Sequence, residues 1–246
     1  MKYEVDIEEI QYSPIWNYRY EQWFRETHYN GKPLSDDERK NMINLIDENI
    51  SETAEGLPII KRILESLNDF HDEGHVVYRT IVSVMQFVGI TMIDSMVIGK
   101  YFLLADKDYD RRFMRGKMKV ILNEGFKKLY GFDEKAHEKS EWNKLSPLLK
   151  YFPEDIQHQY RHLTSLLEEH SKSSSWWRDE RNVETHLDAG KLYDSRCEDI
   201  VECKVMMESL KLFDTLFAAE CFLSNMHACF RNSLVEMYLR GELKEE

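Results

Sequence analysis

Proline and glycine, the residues that most often interrupt a helix, are scarce in this sequence. Only five Pro and ten Gly occur in 246 residues. Apolar residues recur mainly three and four positions apart, and segments with the alternation of a β-strand are almost absent. We therefore expect an all-α protein, and the hydrophobic fraction of 42% is ample for the core of a helical bundle.

Cysteine is also scarce, and its spacing does not match that of a zinc site. Cys197, Cys203, Cys221 and Cys229 are separated by six, eighteen and eight positions, which is not the spacing of a zinc site. A disulfide framework is unusual in a chain that can build a large core. We expect reduced, mostly buried thiols and a cytoplasmic protein.

Long uninterrupted apolar runs are missing as well. Residues 1–10 are acidic and lack the apolar stretch of a signal peptide. The most apolar segment, 76–105, carries Arg79, Asp94 and Lys100, which leave at most fourteen uncharged residues in a row where a membrane span needs about 20. We expect a buried central helix there and no membrane partner. Its apolar stripe is Val77, Ile81, Val84, Val88, Met92, Met96 and Leu103.

Basic charge is in short supply overall but is concentrated in one segment. The net charge is −12, and a chain this acidic repels nucleic acid unless its cations are gathered locally. Residues 107–128 carry eight Lys and Arg against three acids, whereas residues 1–75 carry seventeen acids against eight bases. We expect residues 108–130 to form a helix with its charges facing out and with Phe113, Val120, Ile121, Phe126 and Leu129 buried.

Helix signals divide the chain into two parts. Residues 1–75 are predicted to be an acidic, aromatic-rich extension with one or two helices, and residues 76–241 to be a helical bundle. The run 193–239 could span about 70 Å as one helix, so it either bends or packs against a second subunit. Helices are predicted to begin near Ser35, Pro58, Val76, Asp108 and Pro153, with a short helix near 134–144 and a long C-terminal helix.

Aromatic residues are concentrated before residue 34. Tyr3, Val5 and Ile7 alternate as in a strand, and Asn30-Gly31 is a turn signal. The rings between them either pack the extension onto the helical body or form a platform for stacking bases. They are Tyr12, Trp16, Tyr18, Tyr20, Trp23, Phe24 and Tyr29.

The stretch 176–188, WWRDERNVETHLD, holds the highest density of chemically active side chains and follows a serine-rich spacer. On a helix entered near Asp179, Asn182 and His186 share a face because they are four positions apart. Arg181 lies about 140° round the helix from His186, so its guanidinium needs a ligand or partner to converge there. Arg matches phosphate and His exchanges protons near neutral pH, which indicates phosphodiester chemistry. The alternative is a solvated helix start with surface ion pairs.

The run Arg181-Asn182-x3-His186 in an all-helical chain resembles the signature of the HEPN superfamily. Many members are metal-independent endoribonucleases that act as dimers, often in toxin and phage-defence systems, and others are nucleotide-binding or inert modules. The resemblance covers roughly residues 76–240 and implies catalytic roles for Arg181, Asn182 and His186, no cofactor, and RNA and a second copy as partners. The cations predicted to bind RNA are Arg111, Arg112, Arg115, Lys119 and Arg178.

The resemblance implies RNA cleavage by attack of the 2'-hydroxyl group on the adjacent phosphate. His186 would act as base or acid, Arg181 would stabilise the developing negative charge, and Asn182 would orient the imidazole or the phosphate. Cleavage needs both an acid and a base, which a two-fold dimer would supply from two motifs. The alternative is a non-catalytic helical module that binds RNA or a cognate regulatory protein.

Several histidines have the spacing of metal ligands. Glu134 with His137, and Asp155 with His158, resemble the pairs found in di-iron bundles, and His158 with His162 has the four-residue spacing of metal ligands. Such ligands project inward from long apolar helices, whereas these lie in short polar segments near prolines. We therefore expect surface histidines and no metal site.

Overall fold

The computed structural model describes residues 34–173, 189–197 and 202–239, and none of these residues forms a strand. The predicted all-α helical bundle is confirmed. The aromatic stretch and the turn predicted before residue 34 lie outside the described residues. The helices are α1 (Asp36–Ser66), α2 (Glu73–Leu104), α3 (Asp108–Leu129), α4 (Glu134–Glu138), a 3-10 helix (Asn143–Tyr151), α5 (Glu154–Ser173), α6 (Ala189–Cys197) and α7 (Glu202–Leu239).

Helix α2 is the central helix, and α1, α3 and α7 pack against it. The Arg39 guanidinium, near the start of α1, donates to the Leu103 carbonyl near the end of α2, 3.1 Å away. The Tyr78 hydroxyl, near the start of α2, lies 2.8 Å from the His227 Nε2 in the second half of α7. Both α1 and α7 therefore run antiparallel to α2.

The apolar stripe predicted on α2 is confirmed, since all seven of its residues are buried. Among the described helices only α2 is long and apolar enough to cross a membrane, judged by length and composition alone. Half of the residues in its most apolar window are buried. Packing of α2 against three other helices gives it the surroundings of the core helix of a bundle.

A second part of the core lies where α5, α7 and the 3-10 helix meet around Trp142. The Trp142 ring stacks on Tyr160 at 5.1 Å and lies 5.4 Å from the Phe222 ring. Its indole N–H donates to the Thr164 hydroxyl, 2.9 Å away, so the buried indole keeps a polar partner. Burial raises the pKa of Tyr160 to about 12.

The start of α1 agrees with the sequence, but the predicted helix start at Pro58 is wrong. Ser35 and Glu38 form the capping box, with the Glu38 carboxylate 2.8 Å from the Ser35 N–H. Helix α1 then continues through Gly56 and Pro58 to Ser66. A proline inside a helix costs about 3 kcal/mol. Packing of α1 along α2, which buries residues such as Met42 and Ile46, offsets that cost.

The other predicted helix ends agree closely with the structure. Gly131, at φ +90°, follows the end of α3 and supplies the left-handed conformation that glycine favours. Helix α5 begins directly after Pro153, and the long C-terminal helix is confirmed over Glu202–Leu239, about 57 Å at 1.5 Å per residue. The predicted helix near 134–144 is shorter, because the Trp142 N–H donates to the Leu129 carbonyl and ties the chain to the end of α3.

The expectation of mostly buried thiols is only partly met in the described residues. Cys221 and Cys229 are half-buried on α7, whereas Cys197 is exposed at the end of α6. Burial raises the pKa of Cys221 to about 11 and also raises that of Cys229. Both thiols are therefore protonated at neutral pH and are poor nucleophiles.

Candidate RNA-binding face

The motif residues Arg181, Asn182 and His186, together with Arg178, lie outside the described residues. Helix α6 begins at Ala189, three positions after His186. The surroundings of α6 are therefore the part of the structure nearest in the chain to the motif.

Helix α6 packs against α3, the basic helix. The Arg112 guanidinium donates to the Arg196 carbonyl across a 2.9 Å hydrogen bond. The Arg196 guanidinium lies 5.8 Å from the centroid of the Phe113 ring. These two contacts join the helix that follows the motif to the helix that carries most of the predicted RNA-binding cations.

The sequence of α3 supports a helix with a favourable charge distribution. Asp108 and Asp110 lie in its first turn, and Lys127 and Lys128 lie in its last turn. Acids near the N-terminus and bases near the C-terminus both stabilise a helix through its dipole. No side chain caps the N-terminus of α3 at Lys107. The charged residues of the first and last turns therefore provide the stabilisation of its ends that a capping side chain does not.

The predicted RNA-binding cations of α3 are in part engaged in holding the fold. The Arg111 Nε donates to the Ala105 carbonyl at 2.7 Å, which closes the corner between α2 and α3. Arg112 bonds to α6 as described, and Arg115 is half-buried. A guanidinium has five N–H donors, so Arg111 and Arg112 keep further donors after these bonds. Their contact with RNA stays a prediction.

The burial of two side chains of α3 differs from the sequence-based expectation. Lys119 is 5% exposed, because it shares with Gly116 and Asn123 the buried face of the helix. Phe113, predicted to be buried, is 38% exposed. The expectation that every charge of this helix faces out is therefore wrong for Lys119, and the expectation that Phe113 is buried is wrong as well.

Phe113 belongs to a surface that we call the aromatic–basic face: Tyr109, Phe113 and Lys117 of α3 with Arg196 of α6. Tyr109 is 62% exposed. The Lys117 ammonium lies 5.1 Å from the Phe113 ring centroid, so that this ring is flanked by two cations. The three α3 residues are four positions apart and lie along one face of the helix. That spacing was visible in the sequence, whereas the contribution of Arg196 depends on the packing of α6.

Exposed aromatic rings flanked by cations are suited to nucleic acid. Bases stack on such rings without sequence preference, and neighbouring cations neutralise phosphates. In a chain with a net charge of −12, this face is a local group of positive charges beside exposed rings.

The histidines considered for a metal site are not grouped. Among the described residues, no three His, Cys, Asp or Glu side chains are close enough together to hold an ion. The His137 Nδ1 lies 2.9 Å from the Tyr130 carbonyl, and the two rings are in contact at 4.4 Å. His137 therefore packs against the end of α3.

Comparisons of the chain with protein-family models, with curated proteins and with solved structures find no match. The HEPN resemblance consequently rests on the motif from Arg181 to His186 and on the helical character of the chain.

Proposed function

We propose that this chain is a cytoplasmic, metal-independent endoribonuclease of the HEPN type that acts as a homodimer in a toxin or phage-defence system. The observation that carries the proposal is the aromatic–basic face, formed jointly by α3 and by the helix that follows the Arg181–His186 motif. Such an enzyme requires an RNA-binding surface together with a motif suited to phosphodiester chemistry.

RNA binding is assigned to the aromatic–basic face. The rings of Tyr109 and Phe113 offer stacking surfaces, and Lys117 and Arg196 offer positive charge beside them. Stacking contributes about 1–3 kcal/mol per base and tolerates any base. The face therefore holds single-stranded RNA with little sequence preference.

Cleavage is assigned to the motif. His186 removes the proton of the ribose 2'-hydroxyl group or protonates the leaving oxygen, which contributes about 10²–10⁴ in rate. The Arg181 guanidinium stabilises the negative charge that develops on the phosphate, and Asn182 orients the imidazole. A two-fold dimer supplies the second histidine, so that one acts as base and the other as acid.

The second candidate function is a non-catalytic RNA-binding module. It is favoured by the bonds of Arg111 and Arg112 to backbone carbonyls and by the burial of Lys119, which give several cations of α3 a structural role. Such a module would bind RNA through the aromatic–basic face and leave it intact.

An RNA cleavage assay in the presence of EDTA distinguishes the two functions. We expect Arg181→Ala and His186→Ala each to abolish cleavage, and Arg181→Lys not to restore it, because an ammonium cannot replace the planar fork of a guanidinium. Exposed Arg161 and His158 on α5 give matched controls, and Arg161→Ala and His158→Ala should cleave as the wild type does.

An RNA-binding measurement on the same proteins completes the test. Phe113→Ala with Lys117→Gln should weaken binding of a single-stranded RNA by at least tenfold, whereas His186→Ala should not. Binding of RNA without cleavage by the wild type would favour the non-catalytic module. Cleavage that survives both Arg181→Ala and His186→Ala would refute the assigned site.

A further inference from the structure

A group of polar and aromatic side chains lies at the start of α2, away from the aromatic–basic face. Tyr78 of α2 meets His227 and Phe230 of α7, with ring centroids 5.4 Å and 5.0 Å away. The Tyr78 hydroxyl lies 2.8 Å from the His227 Nε2, a hydrogen bond whose direction depends on which nitrogen carries the proton. All three side chains are half-buried, so they are fixed by packing and still reach solvent.

Arg231 adds a positive charge to this group. It follows His227 by four positions and therefore lies on the same face of α7. Its side chain is exposed and makes no hydrogen bond or ion pair with another described residue. Burial lowers the pKa of His227, and the charge of Arg231 lowers it further. Burial raises the pKa of Tyr78, which Arg231 partly opposes. Arg231 is thus close enough for its charge to lower the pKa values of both Tyr78 and His227.

The acids at the start of α2 already have partners. Asp72 caps the helix and bonds to His75, and Glu73 accepts from the Tyr151 hydroxyl and lies 3.7 Å from the Lys150 ammonium.

Two further charged groups lie close to this end of the bundle. The negative charge of Asp155, on α5, contributes to raising the pKa of Cys229 on α7. The Asp155 Oδ1 accepts a hydrogen bond from the Ile156 N–H. Arg79 of α2 is half-buried beside Tyr78. The acids at the start of α2 therefore have partners other than Arg231, and Asp155 is the acid of α5 near this end of α7.

We propose that Tyr78, His227 and Arg231 form a site for the phosphate group of a small phosphorylated ligand. The Arg231 fork donates to two phosphate oxygens, a geometry that matches a tetrahedral oxyanion. Protonation of His227 on binding lets its Nε2–H donate to the Tyr78 oxygen. The Tyr78 O–H is then free to donate to the phosphate. Binding therefore takes up one proton from solvent, and it tightens as the pH falls through the range in which His227 titrates.

This site is separate from the proposed ribonuclease function. Tyr78 lies 26 residues before Leu104 on the continuous helix α2, which corresponds to about 39 Å at 1.5 Å per residue. The aromatic–basic face lies on the first half of α3, which follows the opposite end of α2 in the chain. Phosphate binding at Tyr78 can therefore be tested independently of RNA cleavage.

The test is a titration of the full chain with inorganic phosphate, followed by NMR of the histidine ring nitrogens and protons. We expect saturable shifts of the His227 signals and a pKa of His227 that rises when phosphate is bound. Sulfate, whose charge does not change between pH 6 and pH 8, should bind more tightly at pH 6 than at pH 8. Arg231→Gln should weaken binding by at least tenfold. Tyr78→Phe keeps the ring stack and should remove most of the pH dependence.

The controls separate a built site from general attraction of anions. Arg62→Gln on α1 makes the same change of charge at an exposed position and should bind phosphate as the wild type does. Chloride at equal ionic strength and acetate should shift the His227 signals far less than phosphate. Equal effects of Arg231→Gln and Arg62→Gln, or equal shifts with acetate and phosphate, would overturn the proposal.

Discussion

The Glu220 carboxylate of α7 faces Gly89 of α2, with its Oε2 4.0 Å from the point where a Cβ atom on Gly89 would lie. Leu57 and Thr53 of α1 contact the same point, at 3.6 and 3.9 Å. Three helices therefore meet round a buried carboxylate oxygen, and that oxygen accepts no hydrogen bond in the described structure. Burial raises the pKa of Glu220 to about 7.

The first prediction concerns the effect of Glu220 on stability. The folded carboxyl holds its proton more tightly than the unfolded one, whose ordinary pKa is 4.5. Its contribution to stability is fully present below that pH and is lost as the pH rises through about 7. Glu220→Gln should therefore raise the free energy of unfolding at pH 8 by up to about 3 kcal/mol, with little effect at pH 4.5.

Urea denaturation across this pH range measures the effect. The control is Glu169→Gln, which neutralises an exposed acid on α5 and should change stability by no more than about 0.5 kcal/mol. A loss of stability at pH 8 in Glu220→Gln would show that the carboxylate has a favourable partner.

The second prediction concerns the close packing of α3 on α2. A Cβ atom on Gly125 would overlap with the Thr91 Cγ2. Gly125→Ala should lower the free energy of unfolding by about 1–3 kcal/mol, despite the better helix propensity of Ala. Thr91→Ser removes that methyl group and keeps a hydroxyl for the Phe87 carbonyl, so the double variant should regain most of the loss.

A double-mutant cycle from thermal or urea denaturation measures this coupling. Gly89→Ala is the matched control, since its added Cβ would meet only ordinary contacts at 3.6 Å and beyond. It should leave stability unchanged or raise it by about 1 kcal/mol. Additive effects of Gly125→Ala and Thr91→Ser would contradict the packing of α3 on α2.

The third prediction concerns the proline inside α1. Pro58 has no N–H to donate to the preceding turn, so Pro58→Ala should restore a helical hydrogen bond and raise the free energy of unfolding by about 2 kcal/mol. Pro153→Ala, directly before α5, restores no such bond and should be neutral or slightly destabilising. Equal effects of the two substitutions would indicate that a helix begins at Pro58, as the sequence alone suggested.

Features of the fold that depend only on residues close together in the sequence could be predicted. The capping box at Ser35, the apolar stripe of α2 and the stop at Gly131 are all of this kind. Pro58 and Lys119 were predicted wrongly, because the continuation of α1 and the burial of Lys119 depend on packing between helices. In these cases tertiary burial outweighs the local preference.

The candidate site also has some features that the sequence predicts and others that only the folded chain shows. The Arg181–His186 motif could be found from residue types and spacing alone, and so could the cluster of cations in α3. The hydrogen bond between Arg112 and the Arg196 carbonyl joins residues 84 positions apart. Periodicity carries no information about such a contact, so the exposure of Phe113 beside Arg196 could be seen only in the folded chain.

The most direct test of the proposed ribonuclease is the chemistry of the RNA ends that it leaves in the presence of EDTA. We predict fragments with a 2',3'-cyclic phosphate and a 5'-hydroxyl group, and no cleavage at a position where the ribose 2'-hydroxyl is replaced by hydrogen. Both follow from attack by that hydroxyl without a metal. Fragments with a 3'-hydroxyl and a 5'-phosphate, or cleavage that requires an added divalent ion, would contradict the proposed function.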